Sequence, residues 1–192
     1  MRRGITIFVL VVAAGIALAI ARVIEHGVSA REEPTYTEAI LARTLRHIAV
    51  PAKLRSTRNP IPLTPAALKE GREHFADHSA QCHGNDGRGQ TEMGRNLYPR
   101  APDMTLAETQ KLSDGELFAI IRNGVRMTGM PAWGGQHSED DDWKLVHFIR
   151  HLPRMTKEEA DSMRALNPMS PSEMREENEE REFLSGGHEP HQ

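Results

Sequence analysis

The residues best placed to do chemistry lie in one short stretch, His78-Ser79-Ala80-Gln81-Cys82-His83-Gly84. A thiol and an imidazole stand side by side there, and both are ligands for soft or borderline metals. Covalent attachment of c-type haem uses C-x-x-C-H. Two thiols add to the two haem vinyl groups, and the adjacent histidine becomes the proximal iron ligand. In this chain Ser79 occupies the first cysteine position, and a hydroxyl does not replace a thiol in that addition. The S-x-x-C-H pattern thus keeps the second cysteine and the histidine, Cys82 and His83, and lacks the first thiol; a C-H pair by itself means little.

Composition narrows the alternatives. The chain has 192 residues, 38% hydrophobic and 27% charged, with a formal net charge of -3 and one cysteine. A lone thiol excludes a disulfide framework, a Cys-rich zinc finger and a cysteine-ligated iron–sulfur cluster. No basic block stands out from the charge balance, which argues against nucleic-acid binding. Aromatics make up 5%, with 15 Gly and 12 Pro, as expected of a small, loop-rich core. No nucleophile-plus-base set stands out, so hydrolytic chemistry has no support.

The elements that must position Cys82 and His83 are helical. Thr64-Pro65 is an N-cap followed by proline at the first helical position, which predicts a helix to about His78. Ser113-Asp114-Gly115-Glu116 is a capping box, and Leu117, Ile120 and Ile121 form the buried stripe of a helix closed by Asn123-Gly124. A third helix is predicted from Ser138 to about Leu152, with acids Glu139 to Asp142 at the positive end of its dipole and Trp143, Val146 and Ile149 on one face. No strand alternation lies between them. The fold class is all-α, with long functional loops.

The ends of the chain differ in kind from the middle. Arg2 and Arg3 precede an apolar run, Gly4 to Ala21, extended by Val23 and Ile24. That length suffices to span a bilayer as a helix, and the leading arginines keep the N-terminus cytoplasmic. Residues 1–24 thus read as a membrane anchor, with Val28-Ser29-Ala30 as the competing signal-cleavage site. Residues 25–62 read as a proline-punctuated stalk. It carries a short amphipathic helix, Glu38 to Ile48, whose apolar stripe of Ile40, Leu41, Leu45 and Ile48 covers part of the neighbouring domain or lies on a membrane surface. Residues 63–153 form the compact domain. From Arg154 onward ten acids face five bases, and residues 154–192 read as a solvated, partly disordered tail. Capping boxes at Thr156/Glu159 and Ser170/Glu173 permit two short helices there.

From Thr64 to Leu152 the chain resembles a class I cytochrome c domain of the membrane-anchored, mono-haem bacterial kind. Gly71 and Phe75 fit the family's approach to the haem, "HGNDGRG" from His83 to Gly89 fits its turn after the histidine, "RNGVRMTGMPAW" from Arg122 to Trp133 fits the segment supplying the sixth ligand, and "DDWKLVHFIRHL" fits the C-terminal helix. The resemblance implies one haem c, with His83 as proximal and Met130 as distal ligand. The Gly129-Met130-Pro131 loop suits that role, because the residue before proline is disfavoured as helix. Met127 is the rival that residue chemistry alone does not separate from Met130.

The same resemblance implies an electron carrier rather than an enzyme, with weak peroxidase-like activity as its furthest reach. Both axial positions would be filled, on the extracytoplasmic (periplasmic) side of a membrane. Its partners would be redox proteins of a respiratory or other electron-transfer chain. The alternatives are a haem peroxidase or gas sensor with a labile Met130 bond, and a degenerate haem-free scaffold, for which Ser79 is the sole support. Met93 and Met104 are expected to line the pocket, and Arg88, Arg95 and Arg100 to balance propionates or face solvent. The carbonyl of Pro99 or Pro102 is expected to receive the far nitrogen of His83. Trp143 reads as core. His74, His78, His147 and His151 read as helix-surface or interhelical residues, and His188 and His191 as an incidental pair.

Overall fold

Hydroxyl side chains start the helices by taking their first free N–H groups. The computed structural model describes residues 2–26, 29, 32–168 and the isolated positions 175, 179 and 181. Within them α1 spans Arg2–His26, α2 Tyr36–Ala49, α3 Ala52–Arg55, α4 Pro65–His74 and α5 Ala80–His83. There follow α6 Glu92–Asn96, α7 Ala107–Gln110, α8 Asp114–Asn123, α9 Glu139–His151 and α10 Lys157–Ser162. Thr64 caps α4 by accepting from the Ala67 N–H at 3.1 Å. Ser113 and Glu116 close the capping box of α8, and Ser138 accepts from the Asp141 N–H at 3.2 Å to open α9. Among the described residues there is no strand, only an isolated bridge between Gly134 and His137. The all-α expectation holds.

The core lies where α4 crosses α9. Phe75, Val146 and Met163 are fully buried, and Phe148 meets Phe75 with ring centroids 5.1 Å apart. Trp143 is core, as expected, stacked on Phe118 at 4.1 Å with the planes 12° apart. At the crossing a side chain on Gly71 would collide with the Lys144 carbonyl, so the two backbones touch.

Two flanking segments take part in this packing. Between α2 and α4, the Leu54 carbonyl occupies the space a side chain on Gly115 would need. Asn59 Nδ2 donates to the Trp143 carbonyl at 2.7 Å, and Val50 is buried. After Pro153 the Thr156/Glu159 capping box forms α10, and Met163 reaches the centre of the core. By contrast, Ile40, Leu41, Leu45 and Ile48 of α2 stay 46%, 60%, 57% and 67% exposed, so the domain does not cover that stripe. The Ser170/Glu173 box, the Val28–Ala30 site, His188 and His191 fall outside the described residues, wholly or for all but Ser29.

Helix α1 is long and apolar enough over Arg2–Glu25 to cross a membrane, and none of that window is buried within the protein.

Glu116 ties the segment before the domain to α8. Its Oε1 lies 2.6 Å from His47 Nδ1, and its other oxygen accepts from the Ser113 N–H at 2.8 Å. Burial alone would raise its carboxyl, but the bonds from Ser113 and His47 outweigh it and hold the pKa below 4.5. A carboxylate favoured by the fold binds its proton more weakly than in the unfolded chain. Its contribution is therefore whole above pH 4.5 and lost as pH falls through the folded value. In denaturant titrations from pH 7 to 3, the stability gap between the parent and Glu116→Gln should narrow on acidification; a gap of constant size contradicts this role.

Candidate functional site

The first helix of the domain does not run smoothly to Cys82. After α4 comes a π-helical turn, Phe75–Ser79, in which the Ala80 N–H reaches back five residues to the Phe75 carbonyl. Such turns insert an extra residue and concentrate at functional positions. Ser79 sits at its end with φ -101° and does not cap the next turn. The chain returns to α-helix for Ala80–His83, and Gly84, at φ 73°, stops it. Cys82 is a free, half-buried thiol, and burial pushes its pKa up, so it stays protonated at neutral pH.

The loop after His83 is stitched back onto it. The Gly89 N–H donates to the His83 carbonyl at 2.7 Å, and the Met104 N–H to the Gly87 carbonyl at 2.8 Å. Thr91 Oγ1 donates to the Cys82 carbonyl at 2.9 Å and accepts from the Gly94 N–H at 2.8 Å. Gly89 is required twice over. Its φ is 70°, and a side chain there would strike the Ala101 carbonyl. His83 is half-exposed as a residue while its Nδ1 is buried without a hydrogen bond of normal geometry. Its open edge is therefore elsewhere on the ring. Burial lowers the pKa of this imidazole, and the Pro102 carbonyl offsets part of that. Of the two carbonyls proposed as its partner, Pro102 is the one that acts on it.

The methionine loop hangs from the C-terminus of α8. Gly124 turns the chain at φ 62°, and the Val125 N–H closes on the Met130 carbonyl at 3.1 Å. The Met130 N–H donates to Thr128 Oγ1 at 3.1 Å. Beyond Pro131, the Trp133 and Gly134 N–H groups return to the carbonyls of Ile121 and Arg122 at 3.1 and 2.8 Å. Met127 has a left-handed φ of 62° and is 91% exposed, whereas Met130 is half-buried. The two loops meet at Gly129, where a side chain would run into Leu97. The loop that follows His83 and the loop that carries Met130 are thus in van der Waals contact.

Other candidate residues divide. Met104 is buried in the core, but Met93 is 44% exposed. Arg100 pairs with Glu33 at 2.7 Å and Arg88 with Asp86 at 3.7 Å, both near the surface, and Arg95 is exposed. His147 Nε2 bonds the Ile61 carbonyl at 2.7 Å and His151 lies 3.4 Å from Glu159, which are structural duties. His74 and His78 do more than cover a helix surface: they meet His137, which sequence reasoning passed over. Burial and the two neighbouring imidazoles push His74 down to about 4. The spacing of His74 and His78, four apart, was the available signal, and nothing local ties His137 to them.

A half-buried thiol, an adjacent imidazole with its inner nitrogen orphaned, and a thioether on a loop packed against the same segment form a donor set suited to haem c. Residues 66–149 match the family described as cytochrome c oxidase, cbb3-type, subunit III. Over 144 residues the chain is 31% identical to the cbb3-type cytochrome c oxidase subunit FixPc of Rhizobium leguminosarum bv. viciae, covering 70% of this chain and 46% of that protein. Over 92 residues it is 34% identical to the subunit FixP of Rhizobium meliloti (strain 1021), covering 47% and 29%. The chain spans less than half the length of these relatives. A chain of the Kuenenia stuttgartiensis reducing HAO-like protein complex aligns with a TM-score of 0.44 at 22% identity over 50% of this chain and 49% of that one. The family match and the two relatives identify residues 66–149 as a cytochrome c family domain.

The loop after His83 predicts a graded stability effect. Gly89→Ala should cost more than the roughly 1–2 kcal/mol of a left-handed residue alone, because of the Ala101 carbonyl. Gly135→Ala, at φ 91° with open space around it, should cost only that strain. Urea midpoints of the two variants test this, and equal losses would contradict the close contact.

Proposed function

We propose that this chain is a membrane-tethered, one-electron carrier in which a single haem c is held by Cys82, His83 and Met130. The observation that carries the reading is the packing of the Met130 loop, through Gly129 and Leu97, onto the segment that follows His83. It is joined by the cytochrome c family match of residues 66–149. Bound haem would supply a one-electron iron couple. The chain supplies the rest. His83 would provide its imidazole from a backbone position whose carbonyl is already engaged by the Gly89 N–H. Met130 would provide a soft sulfur ligand, which favours the ferrous state and raises the potential. Cys82 provides one thioether, and Ser79 leaves the second vinyl unlinked.

If His83 and Met130 both held the iron, no position would be left for substrate, which would suit a carrier rather than an oxidase centre. Helix α1 would hold the domain at the membrane with the compact part on the extracytoplasmic side, given Arg2 and Arg3 before it. Tethering raises the local concentration of the carrier near membrane partners. The relatives are named as cbb3-type oxidase subunits, so a respiratory electron-transfer chain is the setting we infer.

A haem stain on a denaturing gel, with a reduced pyridine haemochrome spectrum, tests this directly. Covalent haem with an α-band displaced toward the b-type position is expected, and Ser79→Cys should move it back and raise haem retention. Met130→Leu should abolish the thioether–iron charge-transfer band of the ferric protein, while Met127→Leu should leave it. Absence of haem under good maturation conditions overturns the reading, and a band that survives Met130→Leu reassigns the ligand. Rapid carbon monoxide binding by the reduced parent would favour a sensor or peroxidase instead.

A further inference from the structure

We propose that His74, His78 and His137 form a binding site for one divalent cation of the zinc class, separate from the haem ligands. The candidate ligand nitrogens of the three residues all lie within 4.8 Å of one another. Their ring centroids are 5.0 Å (His74–His78), 4.4 Å (His74–His137) and 4.6 Å (His78–His137) apart. Imidazole nitrogens about 2.0–2.1 Å from a tetrahedral zinc ion put the ring centroids about 5 Å apart. The observed spacing needs only small ring rotations to close on a metal.

The three rings come from rigid supports. His74 ends α4 and His78 lies four residues on, within the π turn, so the two share a helix face. His137 is held by the backbone bridge to Gly134 just before α9. Trp133 stacks on His78 with centroids 5.1 Å apart and planes 26° apart, fixing that ring from outside. His137 Nε2 is buried and makes no hydrogen bond, an unmet polar atom that costs free energy unless something satisfies it. The rings open onto a cleft of about 420 Å³, also lined by Glu73, Asp77 and Asp141.

Those carboxylates suit a cation. Asp77 Oδ2 lies 3.2 Å from His78 Nε2, the kind of acid–imidazole contact that orients a metal-bound histidine. An all-nitrogen inner set selects against magnesium and calcium, which demand oxygen ligands, and for zinc, nickel or copper. Three protein ligands also leave a fourth position for water or a partner's side chain.

The test uses the full-length, haem-loaded chain in detergent, purified without a polyhistidine tag and titrated with zinc chloride. One zinc ion per chain is expected, with no comparable uptake of magnesium. The zinc-edge X-ray absorption spectrum, which haem iron does not contribute to, should show three imidazole nitrogens. His78→Gln and His137→Gln should each weaken binding beyond the roughly 10–100-fold that losing an outer-shell partner costs. A His188→Gln/His191→Gln double variant should bind as the parent does. The proposal is overturned if no zinc binds, if affinity survives both cluster substitutions, or if the spectrum shows Cys82 sulfur or fewer than three imidazoles. The parent's spectrum stands even if a variant fails to fold, and none of these outcomes depends on whether Met130 ligates iron.

Discussion

The contact on which the rest depends is backbone against backbone: α4 meets α9 at Gly71, with the Lys144 carbonyl where a side chain would be. Helices packed this closely have their relative direction set by sterics rather than by flexible side chains. From one side of the crossing α4 runs through the π turn to Cys82 and His83. From the other, α9 carries the wholly buried Asp142, whose carboxylate accepts from Arg122 Nη1 at 2.9 Å. Arg122 lies near the end of α8, and its carbonyl receives the Gly134 N–H on the far side of the Met130 loop. One chain of rigid contacts thus links the imidazole to the thioether through Gly71. Burial raises the Asp142 carboxyl and Arg122 pulls it back down. Stranding such an acid by removing its partner costs about 3–5 kcal/mol when fully buried, and less here because Arg122 is partly exposed.

What could be read from the sequence follows the range of the interactions. Thr64, Ser113, Ser138 and Thr156 announce helix starts because a cap is a contact across three residues, and all four form. Cys82 and His83 could be singled out because the pattern that carries them is contiguous. The π turn was not, since a helix with one extra residue has nearly the same periodicity as one without it. The burial of Met163, the docking of Leu54 on Gly115, and the meeting of His137 with His74 and His78 join residues far apart in the chain. No local pattern encodes them. The exposed stripe of α2 shows the converse: amphipathic spacing identifies a face and says nothing about what covers it.

The two methionines show how a backbone choice can separate side chains that chemistry leaves equal. Met127 and Met130 sit three residues apart in the same turn-rich loop. Closing that loop between Val125 and Met130 requires a residue at positive φ, and Met127 takes it, at 62°. The left-handed conformation costs a non-glycine residue roughly 1–2 kcal/mol, and the Val125, Thr128 and Met130 hydrogen bonds offset it. Met127 is left facing solvent, while Met130 is half-buried.

Ser79 shifts weight onto this framework. With two thioethers, a haem is positioned by covalent bonds at both vinyl groups, and the surrounding loops need only fill space. Were Cys82 the sole link, as proposed, packing and the residues holding the iron would have to oppose rotation about it. The loop after His83 then has more to do than in a doubly linked domain. That loop carries an unusual density of constraint: left-handed glycines at 84, 87 and 89, backbone bonds from Gly89 to His83 and from Met104 to Gly87, and the Thr91 hydroxyl bridging Cys82 and Gly94. Each fixes backbone rather than side chain, so their combined effect is a stiff rim around the imidazole. A rim tied at the backbone is what a haem linked through Cys82 alone would need to keep one orientation.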